Sequence, residues 1–196
     1  MDIIRNKIIL SNLKESQDLI QNMISDQDLM QSINLSINKC ISCLDKGNKI
    51  LLIGNGGSAA DAQHIAAEFV SRFKFDRSPM PAIALTTDTS NLTAISNDYG
   101  FEKIFERQLN AIANDGDLLI AYSTSGNSEN ILNAIRYCNY NNIEVIGMTG
   151  NTDSQMKSIC KLNVVVPSSS TASIQVAHTI IGHIFCDAVE QHFFAK

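Results

Sequence analysis

Two hydrophobic rhythms divide the chain after Gly47. Before it, apolar residues return every three or four positions: Ile8, Ile9, Leu13, Leu19, Ile20 and Met23, then Leu29, Met30, Ile33, Leu35, Ile37, Ile41 and Leu44. That spacing puts side chains on one helical face and predicts helices over Ile3–Met23 and Leu29–Leu44, the second stopped by Lys46-Gly47. No strand pattern separates them, so residues 1–46 read as a helical hairpin within a single domain spanning 1–196. An apolar-faced helical pair of this kind is expected to pack against another subunit.

From Lys49 onward short apolar runs alternate with helical patterns. Strands are predicted over Lys49–Ile53, Ala82–Leu85, Asp117–Ala121, Ile143–Met148 and Leu162–Val166. Helices are predicted over Ser58–Phe73, Asn91–Ser96, Glu102–Asn110, Ser128–Tyr140, Ser154–Ile159 and Thr171–His192. Strands apolar on both faces and separated by helices describe a doubly wound α/β fold, three layers around a five-stranded parallel sheet. Ligands of such sheets bind beyond the carboxyl ends of the strands, which directs attention to two loops.

The first loop, Gly54-Asn55-Gly56-Gly57-Ser58-Ala59-Ala60-Asp61, follows the first strand and opens a helix. Its glycines let the backbone turn sharply and approach a ligand, and Ser58 is a suitable N-cap. A helix start of this kind accepts an anion, although a tight strand–helix turn alone explains the glycines equally well. The second loop, Ser123-Thr124-Ser125-Gly126-Asn127-Ser128, offers four hydroxyls and one glycine at another helix start. One cap accounts for one serine, not for the cluster; a phosphate, with several acceptor oxygens, suits it better. The first loop also fits a dinucleotide fingerprint. Asp88, the nearest acidic candidate, lies further along than that fingerprint asks, and the second loop would then have no task. No lysine follows either loop, so a Walker motif is absent.

His64 and Glu68 stand at i and i+4 on the helix of the first loop, while Gln175, Thr179 and His183 share a row of the last helix. Aldose–ketose isomerisation needs a base at carbon, a group for the oxygen protons and an anchored phosphate. A Glu with a His across the site fits those roles; His64, Glu68, Gln175 and His183 fit a zinc site as well. From spacing alone, histidines on two amphipathic helices explain the pattern too.

Composition narrows the classes. Hydrophobic residues make up 44% and charged residues 18% of the 196, enough for a core. No run reaches membrane-helix length, and Met1–Lys7 lacks the apolar stretch of a signal peptide. Five cysteines, an odd and scattered set, point to reduced thiols in the cytoplasm, and Cys40-x-x-Cys43 falls within a helical pattern without a second metal pair. A net charge of −5 without a basic run speaks against nucleic acid and for a small phosphorylated ligand held by backbone N–H groups.

Taken together, the stretch Gly54 to His64 with Glu68, Thr86–Ser90, Asn97-Asp98-Tyr99-Gly100-Phe101, Ser123–Ser128 and Val166–Gln175 resembles the phosphoheptose isomerase family of the sugar isomerase (SIS) fold, over essentially the whole chain. The resemblance implies conversion of sedoheptulose 7-phosphate to D-glycero-D-manno-heptose 7-phosphate. It implies a homotetramer with active sites at subunit interfaces, Glu68 as base and His183 as acid, and zinc on His64, Glu68, Gln175 and His183 in some members. Substrate contacts are implied at Asn55, Gly56, Gly57, Ser58, Glu68, Asn97, Asp98, Ser123, Thr124, Ser125, Ser128 and Gln175, with Asp61 and Arg72 in support. The chain departs from the family at Ser173, where many members carry Arg. A rival class comprises non-catalytic SIS paralogues that bind a replication-initiator protein or sense a sugar phosphate; the presence of Glu68, His64, Gln175 and His183 argues against it. A nicotinamide-dependent dehydrogenase is the third alternative.

Overall fold

β1 (Ile50–Ile53) is buried along its whole length, as an unbroken apolar strand must be when both faces are covered. In the computed structural model, which describes residues 2–195, it lies inside a five-stranded sheet of order β2-β1-β3-β4-β5. β2 is Ala82–Ala84, β3 Leu118–Tyr122, β4 Glu144–Gly150 and β5 Leu162–Val166. All four pairings are parallel, with Leu52 opposite Ala84 on one side and Ile120 on the other.

Alternation along the strands feeds two cores. Ile50, Leu52, Leu118, Ile120 and Tyr122 point into one, with residues of α1 (Asp2–Ser25), α2 (Gln27–Asp45), α3 (Gly57–Val70) and α8 (Thr171–Phe194). Leu51, Ile53, Leu119 and Ala121 point into the other, with residues of α5 (Ile104–Ile112), α6 (Glu129–Tyr140) and α7 (Gln155–Ile159). α4 (Thr89–Tyr99) and a 3-10 turn (Phe101–Lys103) complete this side. α3 leaves β1 toward the first face and α6 leaves β3 toward the second, so a crevice opens between the ends of β1 and β3, the switch point at which doubly wound sheets take ligands.

The two leading helices behave differently from one another. α2 buries Leu29, Ile33, Cys40 and Cys43 in the first core and so forms part of the helical layer, not an appendage. α1 buries only Leu19 and Met23, and leaves Ile3, Ile4, Ile8, Ile9, Leu10 and Leu13 more than half exposed. α8 is the one helix among the described residues long and apolar enough to cross a membrane; here its Ile174, Ala177, Ile181, Phe185 and Val189 are core. All five cysteines are free and buried, Cys40 and Cys43 among them.

The expected helix from Ser58 to Phe73 begins at Gly57 and ends early, at Val70. Beyond it the backbone N–H groups of Phe73 and Phe75 donate to the Glu190 carboxylate of α8 at 2.8 and 3.0 Å, so a long-range acceptor replaces the helical ladder.

Candidate active site

The glycine loop and the hydroxyl loop meet at the β1–β3 switch. Asn55, Gly56, Gly57, Ser58, Tyr122, Ser123, Thr124, Ser128, Thr171 and Gln175 line a cavity of ≈ 260 Å³ there. Gly54 has no room for a side chain: a Cβ would stand 2.3 Å from the Ser58 carbonyl oxygen, since the strand runs straight into the first turn of α3. Gly56 provides the N-cap at φ +55, a left-handed conformation that glycine adopts without strain. Ser58 lies one residue inside the helix and the cap carries no side-chain bond, so the start of α3 is capped by backbone, not by the serine.

Across the crevice, the Ser123 hydroxyl accepts from the Gly126 N–H at 3.1 Å and donates to the Ser128 hydroxyl at 3.3 Å, closing the second loop. Asn55 and Asn130 exchange two amide hydrogen bonds, at 2.9 and 2.8 Å, and tie the two loops together. The Gln175 amide covers Gly57, so that a Cβ on that glycine would lie 2.5 Å from its Nε2.

Further along the α3–α8 contact the titratable side chains converge. His64 Nε2 is 3.2 Å from Glu68 Oε1 and 3.1 Å from His183 Nε2. The ligand atoms of His64, Glu68 and His183 lie within 4.8 Å of one another. Phe73 stacks at a tilt on His183, with ring centres 5.4 Å apart. Between this cluster and the cavity, the Thr179 hydroxyl donates to Asp61 Oδ1 at 2.6 Å. Burial raises the Asp61 carboxyl above its usual range, opposed by the Thr179 bond and the nearby His64. Its Oδ2 and the Tyr122 hydroxyl are buried without partners among the described residues.

Two imidazoles and a carboxylate at these separations, partly open to solvent, can move protons or hold a divalent cation such as zinc. Gln175 precedes His183 by two helical turns, about 12 Å of rise, and its amide rests at the cavity against Gly57.

The profile of the SIS domain family matches residues 13–150. A phosphoheptose isomerase of Burkholderia pseudomallei strain K96243 is 50% identical over 188 residues, covering 96% of this chain and 95% of that protein. The chain belongs to the phosphoheptose isomerases. Two solved phosphoheptose isomerases share its fold. The Francisella tularensis structure matches with a TM-score of 0.91 at 35% identity, covering 95% of this chain and 98% of that one. For the Neisseria gonorrhoeae structure the values are 0.89, 36%, 95% and 98%.

The remaining expected site residues are not among those that line the cavity. Asn97 donates to Asp98 at 2.8 Å, and both are exposed on α4. Ser125 is exposed on the hydroxyl loop, where its hydroxyl accepts from the Asn127 N–H at 3.2 Å. Arg72 is exposed just past α3. Ser173 donates to Glu15 of α1 at 2.6 Å and so fastens α1 to the first turn of α8.

Sequence reasoning passed over Asn130, Tyr122 and Thr171. Tyr122 and Thr171 sit at the edges of a predicted strand and helix and look like ordinary structural positions. Asn130 gave a signal, being a buried amide in an otherwise apolar register with Ile131, Leu132, Ala134 and Ile135.

Proposed function

We propose that this chain isomerises sedoheptulose 7-phosphate to D-glycero-D-manno-heptose 7-phosphate, the first step toward the heptose of lipopolysaccharide core. The observation that carries the reading is the convergence of Glu68, His64 and His183 beside a cavity built from glycine, serine and threonine.

In this reading the phosphate lies against the helix starts at the cavity, where backbone N–H groups and the hydroxyls of Ser123, Thr124 and Ser128 donate to its oxygens. Asn55 and Gln175 orient the sugar chain. Glu68, on the solvent-facing side of the α3–α8 seam, takes the proton from C1 of the ketose while His183 donates to the C2 oxygen. This gives an enediol and leaves Glu68 protonated and His183 neutral. Return of the Glu68 proton to C2, with His183 removing the proton from the C1 hydroxyl, yields the aldose and restores both groups. His64, within hydrogen-bonding distance of His183 and close to Glu68, orients the pair. His64, Glu68 and His183 would also hold a zinc ion, which when bound supplies a Lewis acid to polarise the carbonyl.

The exposed apolar face of α1 supports an oligomer, and we propose a homotetramer in which Asn97 and Asp98 of α4 reach a site shared between subunits. Five free thiols accord with a cytoplasmic location.

The test follows sedoheptulose 7-phosphate by NMR with wild type, Glu68→Gln and chelator-treated protein. Production of heptose 7-phosphate by wild type and its loss in Glu68→Gln supports the assignment, and chelator sensitivity supports a working metal. An inert wild type, even with added zinc, overturns the isomerase reading in favour of a partner-binding or sugar-phosphate-sensing protein.

A further inference from the structure

The segment after α3 is held by a side-chain pair that the reaction does not use. Arg77 and Glu190 form an ion pair at 2.8 Å with side chains 1% and 0% exposed. Glu190 also accepts the backbone N–H groups of Phe73, Lys74 and Phe75, so its carboxylate receives four donors. Burial alone would raise its pKa; the three N–H groups and Arg77 outweigh it and hold the carboxyl below the usual range, so the pair is ionic.

Arg77 uses the rest of its guanidinium on the end of α3. Its Nη2 donates to the Glu68 carbonyl at 2.9 Å and its Nη1 to the Phe69 carbonyl at 2.8 Å. Carbonyls at a helix C-terminus lack partners within the helix, and here a planar fork supplies two at once, which a lysine cannot reproduce. The Glu68 whose carbonyl is gripped carries the carboxylate of the site on the same residue. On α8 the grip falls on the face of His183, because Asp187 and Glu190 follow it by four and seven residues. Lys74 adds a bridge to Asp187 at 2.6 Å. The Phe73 ring on His183 belongs to the same anchored segment.

We propose that Arg77 and Glu190 are positioning residues for the His64–Glu68–His183 centre, clamping the end of α3 to α8 at the separation where the three side chains meet. The inference rests on the isomerase reading and deepens it. Catalysis at such a centre is sensitive to displacements of about 1 Å, which cost up to about 100-fold in rate. The cavity lies two turns away along both helices, so substrate anchoring does not depend on the clamp.

The experiment compares wild type, Arg77→Lys and Glu190→Gln with Asp117→Asn. The last breaks another pair with a buried carboxylate: Asp117, 1% exposed, bonds Lys49 at 2.6 Å just before β3 and β1. Each is measured for melting temperature, for kcat and KM separately, and for the imidazole NMR signals of His64 and His183 in metal-free protein. A positioning role predicts kcat lowered about 10-fold or more in Arg77→Lys, with KM within about 3-fold, and shifted imidazole signals. Asp117→Asn melts earlier but keeps both kcat and the imidazole signals. Should Glu190→Gln fail to fold, Arg77→Lys, which keeps the charge, decides alone. An active wild type whose Arg77→Lys form differs from it only in melting temperature, as Asp117→Asn does, overturns the positioning role and leaves the isomerase reading standing. An inactive wild type overturns both.

Discussion

Gly57→Ala isolates the contribution of Gln175 to the site without altering Gln175 itself. Gly57 is the first residue of α3 and its φ lies outside the left-handed region, so alanine meets no backbone strain. A Cβ would, however, lie 2.5 Å from Gln175 Nε2 and 2.7 Å from its Cδ and Oε1. Ordinary contact between such atoms is about 3.5 Å, so the amide must withdraw by about 1 Å. The obstructing atoms are the end of a flexible side chain, and a helical Gly→Ala change contributes up to about 1 kcal/mol in the other direction. The melting temperature therefore stays within about 4 °C of wild type. Catalysis does not escape, because a displacement of about 1 Å in a positioning group costs 10- to 100-fold, about 1.4 to 2.7 kcal/mol of transition-state binding. Steady-state NMR or a coupled assay on sedoheptulose 7-phosphate gives kcat/KM for wild type, Gly57→Ala, Gln175→Ala and the double variant. If the effect passes through Gln175, Gly57→Ala costs less than about 3-fold in the Gln175→Ala background. The reasoning is refuted if Gly57→Ala is as active as wild type, or if its loss is undiminished once Gln175 is gone.

Gly54→Ala places its Cβ 2.3 Å from a backbone carbonyl that cannot step aside. We expect destabilisation of about 3 kcal/mol or more, a fall of at least about 6 °C in thermal melting, and a melt within 2 °C of wild type contradicts this. Asn130→Ala removes both amide bonds to Asn55 and frees the first loop; KM for the phosphosugar should rise about 5- to 30-fold with kcat within about 3-fold, and unchanged kinetics would exclude a role for the pair. His178 is fully buried, and burial lowers its pKa from 6.5 to about 4. A neutral folded imidazole means that the unfolded chain binds the extra proton, so stability is complete above pH 6.5 and declines as pH falls toward 4. The window corresponds to about 3 kcal/mol. Denaturant melts from pH 7.5 to 4.5 should show a shallower decline in His178→Phe, and equal slopes would rule out this source.

Where a local pattern determines structure, the sequence was sufficient to read it. β5 lies at Leu162–Val166 as its apolar run predicts, and the other strands fall within two residues of their predicted ends, because burial on both faces forces an apolar run of strand length. α4 begins earlier than its apolar positions suggest because Asp88 caps it, accepting from the Asn91 N–H at 3.0 Å. Periodicity reports that α1 is a helix but not that the apolar face of its first half is left exposed among the described residues, which depends on where α8 and the sheet end. The early finish of α3 was illegible for a similar reason: the acceptor that stops it, Glu190, lies more than a hundred residues later. The meeting of His64, Glu68 and His183 was readable as two helical faces; the offset of Gln175 from them needed the packing of α3 on α8, with Thr179 and Asp61 in between.

The division of the site along α3 and α8 separates holding from reacting. The cavity is built from main chain, small hydroxyls and amides at the carboxyl ends of β1 and β3, and it draws nothing from the imidazoles and carboxylate two turns further on. On the proposed assignment, a single change such as Glu68→Gln is expected to turn a catalyst into a receptor that still grips its sugar phosphate and releases it unchanged. Such a chain would report the concentration of its ligand through occupancy alone, gaining about 2.7 kcal/mol of stability when the ligand stands at 100 times Kd.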